Sequence, residues 1–503
     1  MKKMKKLLSM LVAATMTLAM AAPGFADTPQ ESNYKITINS EHEGHTYEAY
    51  QIFDGDLALR DDEKVLSNIV WGSGINDIGK EKLGVASTRA EQMTEANVAT
   101  FAQEVGAYLT TVRATSTPVI GGYEINNLKP GYYLVKDAED SLDASSTEVY
   151  TRFILEVVGD ATATPKSSDK DIPKFEKTVG EGKKGDDYSI GDDVPFQLKA
   201  TMPETYADYT AYKLVFEDEL TSGLTFNQDS VKLFVGNTEI DNYSTIEGVN
   251  VVINGQKMVF TITDAKKIAS IAAKNEVIVK YTAKLNDKAT AGTTDKNKAT
   301  LEYSNNPNNN GEGTGKTVET EVKVYTFKLA LTKVASYAEG TAEENKIKLA
   351  NAEFTLKNAD GKFATVVNGK ITGWVASNGT TLTSDVNGLI NVDGLDAGIY
   401  TLTETKAPAG YNKLAAPIIL TITSSIGDDG ILTGLKASYT ADGKTDIHDT
   451  GAVKDTGIVS LEVTNNSGAQ LPSTGGIGTT IFYAVGIILM AGAVFFVVRR
   501  KRA

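Results

Sequence analysis

From Lys35 onward the chain is a succession of short runs in which apolar and polar residues alternate, each bounded by Gly, Asn or Asp. The segments Lys323–Leu329 and Gly457–Val463 show the period of two clearly. Such a period is that of a strand with one face buried. Repeated along the body, it predicts a mainly β chain built as three tandem immunoglobulin-like β-sandwich domains. One segment breaks the pattern. Val98, Phe101, Val105 and Tyr108 lie at i, i+3, i+7 and i+10 between Thr94 and Thr111, which predicts one short helix in the first domain, its apolar stripe facing the core. Proline gathers in joining stretches such as Thr164–Pro173. The boundaries are therefore set near 170 and 325, giving domains at 27–170, 171–325 and 326–470.

The two ends carry a different pattern. Lys2, Lys3, Lys5 and Lys6 precede the uncharged run Leu7–Ala22, and Pro23-Gly24-Phe25-Ala26 closes on small residues. This predicts a secretory signal peptide over 1–26, cleaved after Ala26. Near the other end stands Leu471-Pro472-Ser473-Thr474-Gly475. Ile477–Val498 follows, apolar and long enough to cross a bilayer, and then the basic tail 499–503. In this order, over 471–503, the three parts resemble the cell-wall sorting signal of Gram-positive bacteria. That resemblance implies cleavage by a sortase between Thr474 and Gly475, transfer of the Thr474 carbonyl to an amine, and only transient membrane insertion.

A second resemblance lies inside the third domain. Asn351-Ala352-Glu353-Phe354-Thr355-Leu356 precedes Gly398-Ile399-Tyr400-Thr401-Leu402-Thr403-Glu404-Thr405-Lys406-Ala407-Pro408-Ala409-Gly410-Tyr411. These strings are similar to the Cna protein B-type, or prealbumin-like, domain of Gram-positive surface proteins. In the middle domain, Asp218–Phe226 and Asn297–Pro307 resemble the matching segments of backbone pilins. The whole chain thus resembles the major subunits of sortase-assembled pili. That implies pilin-specific and housekeeping sortases, further copies of the chain, minor pilins and peptidoglycan as partners. It also implies a surface location on the cell wall as part of a pilus, in support of adhesion.

Strand parity places polar side chains on apolar faces. Lys333 shares a face with Leu329 and Leu331, Glu404 with Leu402, and Asn465 with Leu461 and Val463. In the middle domain Lys177 shares a face with Phe175 and Val179, Asp218 with Phe216 and Leu220, and Asn297 with Ala299, Leu301 and Tyr303. Each would be costly to bury alone. Together they are complementary, because burial favours the neutral amine and the protonated acid. The acid can then donate to the amide oxygen while the amine attacks the amide carbon and expels ammonia. The pilin resemblance implies that this happens as Lys333–Asn465 and Lys177–Asn297 isopeptide bonds assisted by Glu404 and Asp218. The alternative is a hydrogen-bonded triad without covalent chemistry. Glu217, the neighbour of Asp218, is expected to face water. The first domain departs from the pattern. Asp137 occupies the acid's place, but Lys35 has the wrong parity and Phe153–Val158 contains no Asn, so no bond is expected there.

In the pilin family a Tyr-Pro-Lys segment after the first domain supplies the lysine that accepts the next subunit. Here the position reads Ala163-Thr164-Pro165-Lys166, without the aromatic. Lys166 is the expected acceptor, with Lys170 and Lys174 as competitors. The alternative is a monomeric wall-anchored adhesin that binds a host matrix protein or glycan; such a protein needs no acceptor lysine.

Charge and composition narrow the rest. The 503 residues carry a net charge of −14, yet both ends are basic. Subtracting their eight positive charges from −14 leaves −22 on residues 27–474, which disfavours nucleic acid as a partner. There is no cysteine, so disulfides, thiolate metal sites and a Cys nucleophile are excluded. No cofactor or metal is expected, and the chain is not expected to be an enzyme: GxSxG and HExxH motifs are absent. His42 and His45 have the wrong spacing for a metalloprotease helix and are expected as exposed residues near a turn. Asp143–Thr147 weakly resembles a metal-ion adhesion motif and is expected to be a polar turn. Asn305–Gly313 is expected to be a loop that could recruit calcium.

Overall fold

A computed structural model describes residues 33–40, 43–60, 63–94, 96–142, 148–165, 171–309, 313–335, 346–440 and 448–467. They form a mainly β, multi-domain fold with few short helices. Two compact units separate, one within Met1–Thr326 with Ser424–Gly434 and the other within Phe327–Thr423 with Leu435–Ala503.

The first unit opens with two small sheets. In one, Tyr34–Asn39 lies between Gly122–Leu128, antiparallel, and the short strand Ala161–Ala163, parallel. In the other, Tyr47–Arg60 pairs with Glu63–Trp71 and Gly131–Asp137, and the latter with Arg152–Val157. Ile36, Ile38, Tyr123 and Ile125 pack against Tyr47, Tyr133 and Val135 between them. The opposite face of the second sheet offers Ile52, Phe53, Leu134 and Ile154, and helices cover it.

There are three such helices among the described residues, Asp77–Leu83, Ala86–Glu91 and Val98–Gly106, where the sequence pattern predicts one. Val98, Phe101 and Val105 of the third face the core as their spacing requires. The other two bury only Gly79 and Leu83, and Ala86 and Ala90. Three of these four positions are glycine or alanine and carry little hydropathy, so no stripe is visible. A local signal does exist: the Asn76 side chain accepts from Gly79 N at 2.8 Å, and Asp77 stands in the first turn.

The rest of the first unit is a sandwich. One sheet runs Lys174–Val179, Asp193–Thr201, Glu276–Leu285, Lys232–Val235. The other runs Gly185–Asp187, Thr320–Tyr325, Asp295–Ser304, Leu214–Leu220, Lys257–Ile262, Val249–Asn254. Alternate residues of each strand point into the shared core, as in Asp295–Ser304, where Asn297, Ala299, Leu301 and Tyr303 are buried. The asparagine-rich stretch after this strand is a turn packed against the first two sheets. Asn305 is 1% exposed; its carbonyl accepts from Tyr150 N at 2.8 Å and its side chain donates to Glu148 O. Asn308 donates to Thr151 O at 3.2 Å.

In the second unit, Phe327–Ala335 lies between Leu389–Leu395, antiparallel, and Ile458–Asn465, parallel. Glu353–Lys357 pairs with Gly398–Lys406, and Phe354, Leu356, Tyr400 and Leu402 are buried. The two segments that resemble the prealbumin-like domain, Asn351–Leu356 and Gly398–Tyr411, thus contribute neighbouring core strands.

One glycine in the first sheet can be tested. Gly122 has φ +150°, and a Cβ there would stand 1.9 Å from Ile38 O across the strand pair. Gly122→Ala should destabilise these N-terminal sheets by at least about 1–3 kcal/mol. Calorimetry should show one transition moving to lower temperature while the others stay in place.

Candidate cross-linking sites

The six residues singled out by parity form two buried sets. In the first unit Lys177 is 0% exposed, Asp218 3% and Asn297 0%. Lys177 comes from one sheet of the sandwich; Asp218 and Asn297 come from adjacent strands of the other, with Asn297 opposite Leu220 and Asp218 opposite Ala299. Lys177 Nζ contacts Asp218 Oδ2 and donates to Tyr281 Oη at 3.2 Å. Tyr281 donates to Asp218 Oδ2 at 2.8 Å, and Asn297 Nδ2 donates to Tyr281 Oη at 2.6 Å. Phe196 and Tyr281 present ring faces to the amine, 5.5 and 5.8 Å from their centroids. Glu217 lies on the other side of the strand, partly exposed and paired with Lys316.

Burial lowers the pKa of Lys177, against the attraction of Asp218. Burial also raises that of Asp218, against Lys177 and the hydrogen bonds from Tyr281 and Asn297. Both shifts run toward the neutral pair.

In the second unit Lys333 is 0% exposed, Glu404 2% and Asn465 1%. Lys333 sits opposite Val463 and Ala335 opposite Asn465, so Lys333 and Asn465 are diagonal neighbours on paired parallel strands. Lys333 Nζ donates to Val463 O at 3.0 Å. Asn465 Nδ2 donates to Glu404 Oε2 at 3.0 Å and to Asn412 O at 2.5 Å, and Leu414 N donates to Glu404 Oε2 at 2.8 Å. Burial pushes the Lys333 pKa down to about 8, with Glu404 opposing.

Both sets share a further feature. Asp218 Oδ1 and Asn297 Oδ1, and likewise Glu404 Oε1 and Asn465 Oδ1, are buried without a hydrogen-bond partner. Four acceptors in that condition are costly. A proton on each acid, shared with the amide oxygen, would satisfy both members of the pair and polarise the amide carbon.

The geometry departs from the sequence expectation in three respects. The amide contact to Glu404 runs through nitrogen, where a donation from the acid to the amide oxygen is expected. A half-turn about the Asn465 Cβ–Cγ bond would exchange the two. Asn297 does not lie on the last strand of its sandwich, since Thr314–Lys316 and Thr320–Tyr325 follow it. Tyr281 is absent from the sequence reading altogether. Its alternation with Val277, Val279 and Ala283 marks it as core, and nothing marks its hydroxyl.

In the N-terminal sheets Asp137 is 1% exposed but has no lysine beside it. It contacts His45 Nδ1 at 2.7 Å and accepts from Thr151 N and Oγ1 at 2.6 and 2.9 Å. His45 is therefore not the exposed turn residue expected. It is 4% exposed and stacked on Tyr47, with ring centroids 5.5 Å apart. An acid buried on an apolar face called for a partner, and the histidine one strand away supplies it. Lys35 points outward and pairs with Glu124 at 2.7 Å. Lys174 is exposed and pairs with Glu176. Lys166, Lys170, Ala26, Leu471–Gly475, the span 477–498, the basic tail, His42 and Asp143–Thr147 lie outside the described residues. Among the described residues no three His, Asp or Glu side chains are grouped to hold a metal ion.

Comparison with known proteins gives these sites a setting. Residues 338–430 match the SpaA prealbumin-like fold domain, and residues 463–503 match the LPXTG cell wall anchor motif of Gram-positive bacteria. The trypsin-resistant surface T6 protein of Streptococcus pyogenes serotype M6 is 25% identical over 382 residues. That match spans 63% of this chain and 66% of the relative, a little under two thirds of its length. The solved structure of the T6 backbone pilin of serotype M6 Streptococcus pyogenes superposes with a TM-score of 0.52 at 18% identity, covering 88% of this chain and 100% of that one. BcpA, the major pilin subunit of Bacillus cereus, is also similar, with a TM-score of 0.42, 18% identity, and 87% and 99% of the two chains covered. The match over 463–503 gives the chain a cell wall anchor motif of the LPXTG type. Its fold is similar to that of a solved backbone pilin, and it carries a prealbumin-like domain and an LPXTG anchor motif.

The depressed Lys333 gives a pH prediction for a chain that cannot react. Between about pH 8 and the ordinary lysine value of 10.5 the unfolded chain binds more protons at this residue than the folded one. Stability must then rise with pH across that window. In Asn465→Ala, denaturant midpoints for the second unit should climb from pH 8 to 10. A flat or falling profile would show that the amine is not held neutral.

Proposed function

We propose that the chain is the repeating shaft subunit of a covalently polymerised pilus, built as three tandem β domains over 27–170, 171–325 and 326–470. A sortase cleaves after Thr474 and joins its carbonyl to Lys166 of the next subunit. The last subunit passes to peptidoglycan through a housekeeping sortase, and minor pilins complete the fibre. Within each subunit, Lys177 attacks Asn297 and Lys333 attacks Asn465. Each attack forms one C–N bond, breaks the Cγ–Nδ2 bond and releases ammonia.

The observation that carries this reading is the pair of buried amine–acid–amide sets in a chain without cysteine. A lysine at 0% exposure has no use as a surface charge. Its cost is removed once the amine becomes an amide. Asp218 and Glu404 polarise the carbonyl, and the low-dielectric surroundings keep the amine unprotonated and nucleophilic. The closed loops, 177–297 and 333–465, are each longer than ~100 residues. By analogy with long-loop disulfides each bond should be worth roughly 4 kcal/mol or more.

Two measurements test the proposal. Intact mass should fall short of the sequence mass, after correction for processing, by two molecules of ammonia. Asp218→Ala and Glu404→Ala should each restore one and lower the melting temperature of the affected domain. A full mass in the wild type rules the bonds out.

For polymerisation, wall extracts should show a ladder of high-mass species that survives boiling in detergent. Lys166→Arg should collapse it to a monomer without reducing secretion. A ladder that persists moves the acceptor to Lys170 or Lys174. A single band from the wild type favours the wall-anchored adhesin.

A further inference from the structure

The two sets solve the same chemical problem with acids of different length. Asn465 Nδ2 rests directly on Glu404 Oε2. Asp218 is one methylene shorter, and in its set a fourth side chain, Tyr281, touches the amide nitrogen. Tyr281 Oη lies within hydrogen-bond distance of all three partners: 3.2 Å from Lys177 Nζ, 2.8 Å from Asp218 Oδ2 and 2.6 Å from Asn297 Nδ2. The ring is 2% exposed and held between Phe196 and Phe226, with centroids 5.5 and 5.4 Å away. It cannot swing out of the site without opening the core.

We propose that the Tyr281 hydroxyl carries the proton that lets the Asn297 amide nitrogen leave as ammonia when Lys177 attacks. The inference rests on the cross-linking reading above. Amide nitrogen is a poor leaving group until it is protonated, and the attacking amine has a proton to shed. As Lys177 Nζ bonds to Asn297 Cγ, Asp218 gives its Oδ1 proton to the amide oxygen and takes a proton from Nζ on Oδ2. Asp218 then passes the Oδ2 proton to Tyr281 Oη as the hydroxyl hydrogen moves to Nδ2. The Cγ–Nδ2 bond breaks, NH3 departs, and the proton on the oxygen returns to Asp218 Oδ1 as the carbonyl re-forms. Asp218 and Tyr281 end in the protonation states in which they began, so no other reactant is needed. Burial holds the Tyr281 pKa well above its ordinary value, which keeps the hydroxyl hydrogen available for transfer.

The test follows both bonds in one molecule. The full chain, made by cell-free synthesis, is sampled over time, digested and mapped by peptide mass. In Tyr281→Phe the Lys333–Asn465 link should form at the wild-type rate, and a cooperative thermal transition of the first unit reports that the sandwich around position 281 has folded. The Lys177–Asn297 link should form at least tenfold more slowly. Formation at the wild-type rate overturns the role of Tyr281 alone. Absence of the Lys177–Asn297 link from the wild type overturns the cross-linking reading beneath it. Should Tyr281→Phe fail to fold, 3-fluorotyrosine at position 281 keeps the shape and makes the phenol more acidic. A changed rate of Lys177–Asn297 formation supports proton transfer; an unchanged rate means that the hydroxyl only positions the amide and overturns the proposal.

Discussion

An ammonium group buried without water is among the least favourable things a protein core can contain, with an effective cost of several kcal/mol even after relaxation. Two lysines here are buried completely. Each lies in a buried set with an acid and an amide, supplied by strands far apart in sequence and turned into a shared core. Buried apolar side chains of the surrounding strands keep both sets out of water. Phe196 and Tyr281 present their rings to the Lys177 amine, and buried Leu331, Leu402 and Leu461 accompany the second set. The core is organised around making the charged forms unaffordable, which is also the condition under which an amine becomes a nucleophile.

Much of this was legible because a strand has a period of two. A residue's face follows from its neighbours, so Lys177, Asp218, Asn297, Lys333, Glu404 and Asn465 could be placed inward without knowing which strands pair. Parity also kept Lys35 and Glu217 outside. The reading fails where side-chain identity hides the role. Tyr281 sits on an apolar face as any core tyrosine would, and only the three-dimensional meeting of its hydroxyl with three polar groups separates it from Phe196 beside it. The two extra helices escape for a related reason, since Gly79, Ala86 and Ala90 make contact by being small. His45 looked like a turn residue because its local sequence is polar, and the acid that draws it inward lies 92 positions away.

Asp137 shows how one position can be put to different use. In the second unit the acid at the end of the matching segment accepts from the Asn465 amide and from Leu414 N. In the N-terminal sheets the same place is filled by an acid that binds a histidine and the Thr151 backbone. No amide-bearing residue stands on Arg152–Val157. An acid on a buried face is thus not enough to define a cross-link; the lysine and the amide must be present on the adjoining strands.

The proposed linkage gives that difference a mechanical sense. A pull on a shaft joined from Thr474 to Lys166 enters each subunit at Lys166, after the N-terminal sheets, and leaves at Thr474. The N-terminal residues hang outside that path, so a staple there would bear no load. Inside the path, a Lys177–Asn297 bond bypasses residues 178–296, and a Lys333–Asn465 bond bypasses 334–464. Tension is left on 167–177, 297–333 and 465–474 alone. The bypassed stretches are those that would otherwise unravel strand by strand, because hydrogen-bonded ladders yield far more readily than covalent bonds. The stretch 297–333 remains loaded, and it includes the turn at Asn305–Asn309 that binds Glu148, Tyr150 and Thr151 of the N-terminal sheets. The N-terminal sheets are thus fastened to the shaft in part through a segment that stays under tension, so force on the fibre reaches their seating directly.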